Sequence, residues 1–84
     1  MVDRARTKDE MFMLRLYQEA SKLTDMEQPI DSDFVGRLVG LQSRAVRTIC
    51  TLLAQANFIK KRGEGAISIT PHGIKLVEKI GLKL

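Results

Sequence analysis

The sequence predicts an α+β domain that is mainly helical, and three features of its 84 residues predict it. Thr7-Lys8-Asp9-Glu10 is written as a helix start, because a threonine followed three residues later by a glutamate satisfies two free amide donors reciprocally. From about Ser43 to Ala56 apolar residues recur at helical spacing, with Val46, Ile49, Cys50, Leu52, Leu53 and Ala56 on one broad side. Gly63-Glu64-Gly65 then divides two extended, apolar stretches and has the length and glycine content of a hairpin loop.

The first helix should run from its Thr7 cap to about Leu23, with Met13, Leu16, Tyr17, Ala20 and Leu23 as one stripe. Met11, Phe12 and Leu14 widen that stripe beyond what one core face needs. The surplus suggests a contact with a second copy of the chain, to which the tail Leu82-Lys83-Leu84 would add; the alternative is packing beneath the last helix. Asp25 to Pro29 is a polar break, and Ile30 begins a short extended piece at most. Asp31 can cap a second helix over about Ser32 to Val39, with Asp33 favourable near its N-terminal dipole and Phe34, Val35, Leu38 and Val39 expected inside. Gly40 permits the left-handed turn that ends it. The third helix follows within a few residues, so the two must cross steeply.

That third helix sets Arg44, Arg47, Thr48, Thr51 and Gln55 opposite its apolar back, within an arc of roughly 100°. Asn57 is a stop, and Phe58-Ile59 resumes an extended pattern leading into Lys60, Lys61 and Arg62. Ala66-Ile67-Ser68-Ile69-Thr70 alternates with period two, one side apolar and the other polar. Thr70-Pro71 opens the last helix, a hydroxyl cap followed by proline where no amide hydrogen is required. Ile74, Val77 and Ile80 form its stripe, and Gly81 ends it.

Length and composition set bounds. One domain over residues 1–84 leaves no room for a second core. An apolar fraction of 44% and a charged fraction of 29% are those of a globular chain. No apolar run reaches the roughly 20 residues of a membrane span, and the polar N-terminus does not read as a secretory signal. A single cysteine excludes an intramolecular disulfide and points to a reducing compartment, so a cytoplasmic location is expected. The net charge of +4 is unevenly placed. Residues 1–33 carry five Lys/Arg and eight Asp/Glu. Residues 34–63 carry Arg37, Arg44, Arg47, Lys60, Lys61 and Arg62 and no acid. A basic face of this kind attracts polyanions, although a merely solvated basic surface would look the same in sequence.

The order helix, (strand), helix, turn, helix, strand, glycine loop, strand, helix resembles a winged helix-turn-helix domain of prokaryotic transcription regulators, the MarR and PadR groups most of all. Gly40-Leu41-Gln42-Ser43-Arg44-Ala45-Val46-Arg47 is similar to that family's turn and recognition-helix start. Leu52-Leu53 through Phe58-Ile59-Lys60-Lys61 resembles its passage into the first wing strand, and Ile69-Thr70-Pro71-His72-Gly73 its exit from the wing. Gln42 stands where the family commonly has a serine or threonine cap, which leaves Ser43 as the alternative, and Glu64 stands at a wing tip that is usually basic.

The resemblance implies the order α1-(β1)-α2-α3-β2-wing-β3-α4 and binding to double-stranded DNA. It puts Ser43, Arg44, Arg47 and Thr48 on the face that enters the major groove, where arginine can pair bidentately with guanine. Thr51 and Gln55 would meet the backbone, and Lys60, Lys61 and Arg62 would hold phosphates beside the wing, with Arg37 a weaker candidate. A small transcriptional regulator is the expected role; the alternative is an assembly module that turns the same face to an acidic protein.

No catalytic site, cofactor, metal or small-molecule ligand is expected. Cys50 lies on the apolar back of its helix as a core thiol, and His72, the only histidine, falls in the first turn of the last helix. One His and one Cys cannot assemble a tetrahedral zinc site. The glycine loop lacks the Lys-Ser/Thr ending of a phosphate cradle and precedes a strand.

Overall fold

The computed structural model describes residues 7–81; the stretch before Thr7 and the tail Leu82-Lys83-Leu84 lie outside the described residues. The chain is α+β and mainly helical: α1 (Lys8–Ser21), β1 (Ile30–Asp31), α2 (Ser32–Leu38), α3 (Ser43–Gln55), β2 (Ile59–Lys61), β3 (Ala66–Ile69) and α4 (Pro71–Gly81). The strands form one antiparallel sheet in the order β1-β3-β2, with Ile30 opposite Ile67 and Ile59 opposite Ile69. No described helix is long and apolar enough to cross a membrane.

Local chemistry sets most of the element ends. The Glu10 amide donates to the Thr7 hydroxyl at 3.3 Å and the Thr7 amide to the Glu10 carboxylate at 3.0 Å, so the capping box closes. The Asp31 carboxylate accepts from the Asp33 amide at 3.1 Å and caps α2. Helix α2 stops at Gly40 (φ +76°), where the Leu41 amide bonds back to the Gly36 carbonyl and the Gly40 amide to that of Arg37. The same six-to-one and five-to-two pair ends α3: Phe58 donates to Leu53 and Asn57 to Ala54, with Asn57 at φ +66°. At the start of α4 the Thr70 hydroxyl accepts from the Gly73 amide at 3.0 Å while donating to the Asn57 carbonyl at 2.6 Å. That single side chain joins the end of α3 to the start of α4.

The core draws on every helix. Phe12, Met13 and Leu16 of α1 are completely buried, together with Val35 of α2, while Val46 and Ile49 of α3, Ile67 and Ile69 of β3 and Val77 of α4 close around them. Each such side chain contributes about 1.5–3 kcal/mol of burial.

Several sequence expectations are corrected. Phe12 is core, so it cannot serve a contact with a second copy; Leu14 is half-buried against the same core, which leaves Met11, 39% exposed, as the outward member of that trio. Helix α2 has only seven residues and buries one stripe, Ser32-Val35-Gly36; Phe34 and Leu38, one turn apart on its other side, are 40% and 39% exposed. Leu52 is 57% exposed because the buried face of α3 is the narrower set Val46, Ile49, Cys50 and Leu53. Ser68 is buried with its apolar neighbours, since β3 is the middle strand and a small side chain there is covered on both flanks. Residue Ser43 is the first residue of α3 and not its cap. Gln42 occupies that position and makes no side-chain capping bond.

Helices α2 and α3 approach closely at Gly36. A Cβ there would lie 2.2 Å from Cγ2 of Val46, a β-branched side chain that is 1% exposed. Gly36→Ala gains at most about 1 kcal/mol of helix propensity and incurs overpacking of about 1–3 kcal/mol, more where the neighbour cannot turn aside. Net destabilisation is therefore expected in urea unfolding, and Val46→Ala in the same chain should recover part of it. Simple additivity of the two substitutions would show that the contact is not the cause.

Candidate functional site

Helix α3 is held from behind by Val46, Ile49, Cys50 and Leu53, which leaves Ser43, Arg44, Arg47 and Thr48 exposed in front. Arg44, Arg47, Thr48, Thr51 and Gln55 follow one another at spacings of three, one, three and four and form one stripe. The helix spans roughly 20 Å at 1.5 Å per residue. No acidic residue stands in its first turn, and no side chain caps it, so the first amides face outward with their partial positive charge.

The hairpin stands beside this stripe and is fastened to it. Lys61 Nζ donates to the Thr51 hydroxyl at 3.4 Å, and the Ser32 amide donates to the Gly65 carbonyl at 2.8 Å, which docks the hairpin end on the start of α2. Successive residues of β2 point to opposite faces, so Lys61 leans toward α3 while Lys60 faces away. The sequence groups the two lysines and Arg62 as phosphate ligands beside the wing; the strand places Lys60 on the face opposite Lys61. Arg37 lies on the outer stripe of α2 with Phe34 and Leu38.

The two threonines contribute less donation than expected. The Thr48 hydroxyl donates to the Arg44 carbonyl at 3.2 Å and that of Thr51 to the Arg47 carbonyl at 3.0 Å. Each has one proton and has spent it one turn back, so what remains outward is acceptor capacity. Donation to an anion from this surface therefore rests on Arg44, Arg47, Lys61, the Ser43 hydroxyl and the first amides of α3.

Those cations are not neutralised among the described residues. Among the described residues, the ion pairs are Arg15–Glu19 and Lys22–Glu19, each at 3.2 Å, the first within α1 and the second reaching its C-cap. Arg44, Arg47, Lys60, Lys61 and Arg62 have no carboxylate within pairing distance among the described residues.

Between α3, the start of α2 and the hairpin lies an open cleft of about 300 Å³, lined by Ser32, Asp33, Arg47, Cys50, Lys61 and Ile67 among others. Nothing in the sequence pointed to a pocket, because its walls are drawn from positions 32 to 67 on three elements. No group of three or more His, Cys, Asp or Glu that could hold a metal occurs among the described residues. His72 is exposed and stacks on Phe58, with ring centroids 4.8 Å apart and planes 7° from parallel. The chain matches no protein-family model, no curated protein and no solved structure.

Cys50 is 5% exposed. Burial pushes its thiol pKa up; a hydrogen bond with Ser32 and the nearby Lys61 charge offset this in part, and the Asp33 carboxylate adds to the rise. The thiol is thus kept protonated, the opposite of an activated nucleophile. A group whose pKa is higher in the folded chain stabilises it below the unfolded value, and that contribution fades as pH rises toward the folded one. The urea midpoint of the native chain should therefore fall between neutral pH and about pH 9.5 by more than that of Cys50→Ala, since an unfolded thiol ionises near pH 8.5. Equal alkaline losses in the two chains would remove the assignment.

Proposed function

We propose that this chain is a winged helix-turn-helix module that binds double-stranded DNA, with α3 as the helix that enters the major groove and the β2–β3 hairpin as the wing. The observation that carries the proposal is the row of exposed cations on α3, Arg44 and Arg47, which pair with no carboxylate among the described residues, flanked by Lys61 on the adjoining hairpin. The element order and the antiparallel sheet are compatible with the winged-helix layout. A helix of about 20 Å with its apolar side engaged and its cations outward suits a groove about 12 Å wide.

Roles divide by position. Arg44 and Arg47, in the first turns, are placed to reach base edges, and arginine pairs bidentately with guanine. The Ser43 hydroxyl and the uncapped first amides of α3 suit a phosphate oxygen. Lys61 and Arg62 would hold the backbone beside the groove, and Thr48 and Thr51, with their protons already used, would accept from base amino groups or water. The work is non-catalytic, needs no cofactor and belongs to a small transcriptional regulator in the cytoplasm.

Retention on random duplexes across a salt series, followed by sequencing of the bound pool, tests this. Arg47→Ala should weaken binding to the enriched site by about 1–3 kcal/mol and relax the preference at one position. Lys61→Ala should weaken binding on all sequences alike and lower the salt slope by about one. A native chain that shows no salt-dependent retention at low ionic strength refutes the proposal and leaves an acidic protein as the partner for this face.

A further inference from the structure

The cleft of about 300 Å³ beside α3 is lined by Arg47 of α3, Lys61 of β2 and Asp33 of α2, and Asp33 brings the only carboxylate among the residues lining it. The charges of Lys61 and Asp33 both reach the Cys50 thiol at that cleft, one lowering its pKa and the other raising it. An anion and a cation thus stand around one point, beside the helix that carries Arg44 and Arg47. Yet no cation lies within 4.0 Å of the Asp33 carboxylate among the described residues. Nor does α2 use it as a cap, because Asp31 supplies that side chain. The bond from the Ser32 amide to the Gly65 carbonyl ties the start of α2 to the hairpin, so Asp33, part-exposed, belongs to the surface that α3 and the hairpin share. An unpaired carboxylate among cations does two things to a nucleic acid. It repels phosphate, and it accepts hydrogen bonds without donating any. In the major groove the donor that suits aspartate is the N4 amino group of cytosine.

We propose that Asp33 is a specificity-determining residue of this surface: it weakens binding to duplexes in general and selects a cytosine at one position of the bound site. The proposal rests on the DNA reading given above and adds to it. Within that reading Arg44 and Arg47 supply affinity and pair with guanine. Neither arginine nor lysine has an acceptor, so a preference for a base that offers an amino group has to come from another side chain. The Thr48 and Thr51 hydroxyls accept as well, but they are neutral and do not repel phosphate. Asp33 is the charged acceptor at the cleft.

The test compares Asp33→Asn with Glu78→Gln in the full chain, by retention on random duplexes and by sequencing of the bound pools. Each variant removes one negative charge, but Glu78 is an exposed residue of α4 and does not line the cleft. Asp33→Asn should bind random duplexes about two- to sixfold more tightly than Glu78→Gln, the effect of one unit charge acting across about 4–10 Å of water. The native and Glu78→Gln pools should share a cytosine at one position. The Asp33→Asn pool should lose it or replace it with adenine, which asparagine pairs bidentately. Asp33→Ser should gain affinity and lose the cytosine in the same way, which gives a second chain in which to read the result. Equal binding by Asp33→Asn and Glu78→Gln overturns the proposal. So does a cytosine preference that is absent from the native pool or unchanged by Asp33→Asn. A native chain with no salt-dependent retention refutes the DNA reading itself, whereas a retained native chain with either of those results refutes the role of Asp33 alone.

Discussion

Everything outward on α3 depends on how closely its back is held. At Gly36 the α2 backbone comes so near Val46 that a single Cβ has no room, and Val46 is itself 1% exposed. A contact of this kind fixes distance and also rotation. Turning α3 by one position, about 100°, would carry Val46 out of the gap and bring Arg47 into it, where an unpaired guanidinium would lose several kcal/mol of hydration. The outward aim of the arginines follows from the inward demand of one β-branched side chain against one glycine.

That rotational lock would be of little use if the neighbouring elements were loosely attached. The chain attaches them with backbone bonds and short side chains. The Schellman pairs at Gly40 and Asn57 set where α3 is entered and left. Thr70 bridges the end of α3 to the start of α4 through two bonds from one hydroxyl. The hairpin is pinned at its far end by Ser32 to Gly65 and along its side by Lys61 to Thr51. Three elements thus share one surface fastened by eight hydrogen bonds, with no ion pair among the described residues contributing to it.

Features governed by neighbours in sequence were legible in advance. The capping box at Thr7, the Asp31 cap, the stops at Gly40 and Asn57 and the Thr70-Pro71 start each involve residues within a turn or so of one another, and all appear in the structure where the residues announce them. Features governed by distant contacts were not. Helical spacing defines an arc, but only the packing of α1, α2 and α4 decides how wide an arc is covered, which is why Phe34, Leu38 and Leu52 are exposed and Phe12 is not. Gly36 looks like a weak point in a helix until the residue ten positions on is seen pressed against it. The basic stretch was visible as composition, whereas the diversion of Lys60 to the other face of β2 and the self-satisfaction of Thr48 and Thr51 needed coordinates.

Asp33 is the residue that a purely polyanion-binding surface would not keep. Its value to α2 as an acid in the first turn is modest, about 0.3–1 kcal/mol at an exposed helix N-terminus, and Asp31 already caps that helix. Against a phosphate backbone the same carboxylate, in a cleft with Arg47 and Lys61, works against binding by like-charge repulsion of comparable or larger size. A cost of that sign at the centre of a basic face is coherent if the face must discriminate among anions: the carboxylate penalises a partner that brings only phosphate and rewards one that brings a donor as well. Base edges with amino groups in a groove are donors of that kind, so under the proposed DNA reading one acidic side chain would sharpen selection at a surface whose affinity would come from its cations.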